Sequence, residues 1–196
     1  SLLWDFDEPC GAEGWSTNSG WAPSKCQNHT PGGECALFAG SPDSCDLGAN
    51  GTSVSPVLAL GNVQSLDVDF SVFWGEDTDV LYYWADHVGL TLDQVLSSEE
   101  GSESIGTPMQ VWSKPCNKMS FECEQVPPTP PCDQLGCADF TIGGWQTFHA
   151  TIDLDKYDWI PVFERLAVLG LQADTGDLVG DFVFLIDDIK ITPICQ

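Results

Sequence analysis

The stretch "SLDVDFSVF" alternates without a break: Leu66, Val68, Phe70 and Val72 fall on one side, and Ser65, Asp67, Asp69 and Ser71 on the other. A period of two fits a strand with one buried face and one wet face, and a helix cannot use it. Strand-like runs recur along the chain: "LLWDFD", "ECALFAG", "SVSPVLAL", "DVLYYWAD", "WQTFHATIDL", "LAVLGLQAD" and "DFVFLIDDIKI". Most are five to ten residues long and end at Gly, Asp, Asn or Pro, the usual punctuation of strands. Only "TLDQVLSSEE" and "DWIPVFERL" read as helical turns, and Pro161 weakens the second. About eight strands with little helix in 196 residues predict an all-β fold, a two-sheet antiparallel jelly-roll sandwich. Strands run to both ends, so residues 1–196 are expected to form a single domain. Residues 97–144 stand apart. They open acidic and polar, then become rich in Cys and Pro, which predicts a disulfide-rich insertion unable to pack a core of its own.

The closing run "FVFLIDDIKITPIC" carries two adjacent carboxylates, Asp187 and Asp188. Strict alternation puts Asp187 with Leu185, Ile189 and Ile191, and Asp188 with Phe184, Ile186 and Lys190. Whichever face is buried, one carboxylate turns toward apolar neighbours, where an unpaired charge is costly. It needs either a cation or hydrogen-bond donors, such as loop N–H groups, an arginine or a tryptophan. Arg165 is the only arginine, which tilts the expectation toward a cation. The opening strand adds Asp5, Asp7 and Glu8.

Charge narrows the partners. Thirty acidic residues against 6 Lys and Arg give a net charge of −24, which disfavours nucleic acid and anionic membranes and favours cations. A solvated acidic surface accounts for most of these carboxylates. The nine cysteines are Cys10, Cys26, Cys35, Cys45, Cys116, Cys123, Cys132, Cys137 and Cys195. With no CxxC and no Cys/His cluster of zinc spacing, they read as disulfides of a secreted or cell-surface protein. The odd count leaves one cysteine free, joined to another chain, or parted from a partner outside this stretch. Sequons at Asn28 ("NHT") and Asn50 ("NGT") fit the same compartment as N-glycosylation sites. No run approaches a membrane span. The start lacks an apolar leader, so a processed or excised segment of a larger chain is expected, with any anchor outside it.

The order of these pieces resembles the MAM domain, an extracellular adhesion module, and the related jelly-roll carbohydrate-binding modules. "WDFDEPCGAEGW" is similar to the MAM opening, "NHTPGGECALF" to its "DHT" segment, and "VSPVLAL…SLDVDFSVFW" to its first long strand pair. The run from "GWQTFHATIDL" to "DDIKITPIC" resembles its close. The cysteine placement and the insertion depart from the pattern, so no disulfide pairing carries over. The resemblance implies a non-catalytic jelly roll used in adhesion, assembly or glycan binding. It also implies a structural calcium ion shared by the terminal strands, with Asp7, Asp187 and Asp188 as ligands.

A glycan site requires exposed aromatic rings beside polar groups, because sugar C–H faces stack on rings. The candidates are Trp15 and Trp21 in N-terminal loops, Tyr82, Tyr83 and Trp84 in "LYYW", and Trp112 in the insertion. Three consecutive aromatics in a strand force at least one away from the core; the remaining tryptophans are expected inside it. Catalysis lacks a signature: no GxSxG, HExxH or P-loop occurs, and His87 beside Asp86 reads as a surface histidine. The expectation is an extracellular recognition module for glycan or protein ligands. The alternative is a structural or assembly module that forms oligomers through an odd cysteine; a polysaccharide-active enzyme ranks last.

Overall fold

The computed structural model describes residues 1–7, 9–17, 20–40, 45, 51–74, 86–98, 101–114, 143–156, 159, 165–175 and 183–195; for 74, 86–88, 96–98, 101–114, 172, 174 and 175 it describes the backbone alone. Among the described residues there are eleven strands: β1 (Leu2–Trp4), β2 (Trp21–Ser24), β3 (Ala36–Ala39), β4 (Gly51–Val54), β5 (Leu58–Ala59), β6 (Val63–Trp74), β7 (Asp86–Ser98), β8 (Gly101–Lys114), β9 (Gly144–Asp153), β10 (Leu166–Thr175) and β11 (Phe184–Cys195). They form two antiparallel sheets. The six-stranded sheet runs β2-β3-β11-β6-β9, with β1 also on β11. The five-stranded sheet runs β4-β10-β7-β8, with β5 also on β10. The sandwich expected from the alternation is therefore the fold.

The period-two residues build the core. Leu66, Val68, Phe70 and Val72 of β6 meet Leu90 and Leu92 of β7 and Ala167, Leu169 and Leu171 of β10 in one apolar cluster. Burying such side chains is the main stabilising term of the sandwich. A second cluster lies on the opposite face of the six-stranded sheet, where Ala36, Phe38, Val183 and Leu185 pack with Cys26, Phe73 and Trp145. All four residues of β3 are accordingly buried.

One expectation fails here. "TLDQVLSSEE" is no helical turn: Thr91 to Ser98 lie in β7, paired with β8 along this stretch and with β10 as far as Gln94. Its Leu90 and Leu92 alternate inward while Thr91 and Asp93 do not, a strand pattern that outweighs the weak helical spacing. Within the expected insertion of residues 97–144, residues 101–114 form β8 in register with β7, and residues 115–142 lie outside the described residues. Of "DWIPVFERL", Trp159, Arg165 and Leu166 are described. Trp159 donates to the Leu154 carbonyl at 2.6 Å, and Leu166 opens β10.

The alternation also breaks in β11. Phe184 and Ile186 face the main core, and so do Ile189 and Ile191, so the parity changes between them. Asp187 pairs with Ser71, but Lys190 pairs with Asp69. Asp188 and Ile189 together oppose the one residue between, a β-bulge. Asp188 supplies the bulge conformation, with φ of 50°, a left-handed geometry that Asp tolerates better than most residues. Asp187 thus shares a face with Leu185, and the expected sharing with Ile189 and Ile191 is corrected. The bulge has a place in the topology. On one edge β11 is paired by β3 at Leu185 and Ile186 and by β1 from Ile189 to Ile191. The two aspartates sit where one edge strand ends and the other begins.

Candidate functional site

Into that notch folds the segment 28–35. Thr30, Pro31, Gly32 and Gly33 make a turn closed by the Gly33 N–H to the Thr30 carbonyl at 2.9 Å. Gly32 takes φ of 84°, so Pro-Gly fills the two central positions as a type II turn asks. The arm before the turn serves β11. The His29 N–H donates to Asp187 Oδ2 at 2.9 Å and the Thr30 N–H at 3.4 Å, while Asp187 Oδ1 accepts the Asp188 N–H at 2.8 Å. The Asp188 carboxylate meets His29 Nδ1 and accepts the Thr30 hydroxyl at 2.8 Å. The arm after the turn serves the opening segment. Asp7 Oδ1 accepts N–H groups from Glu34 at 2.6 Å, Cys35 at 2.8 Å and the Asn28 side chain at 2.9 Å. A Cβ added at Gly33 would overlap the Asp7 carboxylate, so a side chain there would displace it. The Cys10–Cys35 and Cys26–Cys45 disulfides fix the same region covalently.

Asp187 is fully buried. Burial pushes its carboxyl up to about 6, against the pull of the N–H groups from His29, Asp188 and Thr30, and with a smaller push from the Asp188 charge. Donors therefore solvate this carboxylate without fully replacing water.

A second feature lies on the outward face of the same sheet. Because Phe148, Ala150 and Ile152 of β9 enter the core, Thr147, His149 and Thr151 point out and are exposed. The β6–β9 register sets them beside Ser71, Asp69 and Asp67. His149 Nδ1 lies 2.7 Å from Asp69 Oδ1 and His149 Nε2 lies 3.2 Å from the Thr151 hydroxyl. Thr151 donates to Asp67 at 2.8 Å, and Ser71 and Thr147 share a hydrogen bond of 3.0 Å. The row ends at Trp145, whose ring lies 5.6 Å from Phe73 and 5.3 Å from His29. The outward face of the five-stranded sheet is closed at its centre by comparison. Thr91 and Val168 are buried there, and burial raises the Asp93 carboxyl.

The sequence-predicted residues divide as follows. Asp7, Asp187 and Asp188 are joined through one turn. Among the described residues no group of three or more His, Cys, Asp or Glu is placed to hold a metal ion. Trp15 and Trp21 are corrected. At 3% and 1% exposure they are core rings and offer no stacking platform; Trp15 packs edge-on against Trp4 and Trp21 against Phe184. Trp112 lies on β8 opposite Leu90, with its side chain outside the described residues, as are Tyr82, Tyr83, Trp84, Asn50, Cys116, Cys123, Cys132 and Cys137. Asn28 is half-buried in the turn, and Cys195 is an exposed free thiol. The outward row was missed. Its signal was the polar alternation of "TFHATID", visible once "LDVDFSV" is laid beside it in register.

No family model matches the chain, and no curated protein matches it. Solved structures do. The N-terminal CBM22 tandem domain from Paenibacillus barcinonensis aligns at TM-score 0.54 and 12% identity, over 100% of this chain and 44% of that one. A cleaved adhesin domain of Lys-gingipain from Porphyromonas gingivalis aligns at 0.52 and 12% identity, over 97% and 96%. A second adhesin domain of the same protein aligns at 0.52 and 12%, over 97% and 98%. At such identity the likeness is one of fold.

Proposed function

We propose that this chain is an extracellular, non-catalytic recognition module that binds a glycan on the outward face of its six-stranded sheet. The observation that carries the reading is the row from Trp145 to Thr151. It combines a part-exposed indole, hydroxyls, an imidazole and two carboxylates on paired strands. Sugar hydroxyls take such donors and acceptors, and sugar C–H faces take the ring. Strands hold these groups more rigidly than loops do. The two disulfides support an oxidising compartment. The similar folds, a CBM22 tandem domain and adhesin domains, are in keeping with the reading. The similarity of "WDFDEPCGAEGW" and "DDIKITPIC" to MAM domains supports an adhesive role within that reading.

A panel of immobilised neutral and charged oligosaccharides tests it, with His149→Ala and Thr147→Ala as exposed variants. At least one glycan should bind the wild type, and each variant should weaken it about tenfold, as loss of a ligand hydrogen bond does, with unchanged melting. Binding to no glycan, or variants that bind as wild type, would sink the proposal.

The exposed Cys195 thiol on β11 favours one second reading, a disulfide-linked assembly module. Light scattering with and without reductant distinguishes it: a monomer in both conditions removes it.

A further inference from the structure

We infer that this chain joins its opening and closing segments without a cation, because the turn of residues 28–35 places N–H and O–H donors where a calcium ion would need free oxygen lone pairs. The inference stands apart from the recognition reading and does not depend on it.

Three carboxylates offer six oxygens, and five of them face donors. Asp7 Oδ1 already faces three N–H groups, from Asn28, Glu34 and Cys35. Asp187 Oδ2 faces two backbone N–H groups and its Oδ1 a third. Asp188 is met by the His29 ring at one oxygen and the Thr30 hydroxyl at the other. Calcium takes six to eight oxygens at 2.3–2.6 Å. A backbone hydrogen aimed at the same oxygen fills one of its two lone pairs and repels an approaching cation. The side-chain donors of His29 and Thr30 can rotate away, but the five backbone ones, on His29, Thr30, Glu34, Cys35 and Asp188, are fixed by the turn and the bulge. The residues that a shared terminal calcium would use are thus present but do not fit it.

The same donors explain why the turn has its sequence. Asn28 offers two amide hydrogens. Nδ2 gives one to Asp7 and one to the Cys35 carbonyl at 2.8 Å, so it ties the two arms to each other and to the opening segment. Both partners are acceptors, so the amide nitrogen and not its oxygen must face them. Gly33 leaves room for the Asp7 carboxylate. An aspartate at 28, as a cation site would favour, would set a second carboxylate against Asp7 and an acceptor against the Cys35 carbonyl.

The test uses the whole chain with its disulfides intact, melted in excess EDTA and in excess calcium chloride, with metal content measured on the purified protein. The melting temperature should be the same in both, and no calcium should co-purify. Stoichiometric calcium, or a melting temperature that climbs with calcium concentration as native-state binding requires, overturns the inference. Asn28→Asp separates the readings further. It should lower the melting temperature by about 2–8 °C, and calcium should not restore it; restoration by calcium overturns the inference. Should Asn28→Asp fail to fold, Thr30→Val serves, losing one O–H donor with the same expected insensitivity to calcium and the same overturning result.

Discussion

The backbone N–H of His29 donates to the buried carboxylate of Asp187 at 2.9 Å across 158 residues of sequence. That contact couples the N-terminal disulfide-bonded loop to the last strand, and burial pushes its acceptor above the usual carboxylate range. Burial holds the Asp187 carboxyl at about 6, above the ordinary 3.8. An acid raised in the folded state binds its proton more tightly there than when unfolded. Its contribution to stability is therefore fully present below 3.8 and is lost as pH rises through about 6. The Asp188 charge lies beside the same carboxylate, so the comparison is made with a variant. Relative to Asp187→Asn, which does not titrate, the wild type should lose urea stability as pH rises across that window and then level off. A difference that is flat with pH would show that burial does not perturb this group.

The bulge makes its own prediction. Asp188 holds φ of 50° and takes the His29 and Thr30 side chains at its two oxygens. Asn keeps the tolerance for that backbone and one acceptor. Val loses both, because its branched Cβ collides in the left-handed region. Asp188→Val should therefore be less stable than Asp188→Asn by about 1–3 kcal/mol, read by urea denaturation. Equal stability would mean that the left-handed geometry is not maintained.

The reach of the sequence follows from these same residues. The sandwich was legible because "SLDVDFSVF" could satisfy only one periodicity. The need of Asp187 for donors or a cation was legible from its apolar neighbours. That backbone donors would reach it was not, because they come from a turn 158 and 157 residues away whose approach depends on where β3 stops and β1 starts. The bulge was half legible. Phe184 and Ile186 fall at even positions, Ile189 and Ile191 at odd ones, and such a change of parity marks an inserted residue. Leu185 hid it by being apolar as well, since it belongs to the second cluster on the other face. Trp15 and Trp21 misled for a simpler reason: turn-rich flanks suggested exposed loops, but a short strand and a loop can both aim a ring inward.

Trp21 now predicts a stability effect where a binding effect was expected. Its ring fills the core beside Phe184, and its Nε1–H donates to the Gly51 carbonyl at 3.3 Å, linking β2 to β4 across the two sheets. Trp21→Ala should cost about 3–5 kcal/mol and broaden or abolish the thermal transition. A variant that melts like the wild type but loses glycan binding would return Trp21 to the ligand surface.

Asn28 lies in an N-x-T sequon, yet its amide is fully used. Nδ2 donates to Asp7 Oδ1 at 2.9 Å and to the Cys35 carbonyl at 2.8 Å, and the side chain sits half-buried beneath the turn. A glycan on Nδ2 would replace one of its two hydrogens, taking one of three donors from Asp7 or the Asn28 donor from the Cys35 carbonyl, and would push a bulky polar group between the two arms. Leaving a buried acceptor unserved costs about 1–3 kcal/mol. In protein secreted from a eukaryotic host, peptide mapping by mass spectrometry should therefore find Asn28 unmodified in the folded, disulfide-intact fraction. Asn28→Gln, which removes the sequon but lengthens the side chain, should lower the melting temperature without changing the glycan mass. A folded fraction fully glycosylated at Asn28 would show that the amide does not hold this turn.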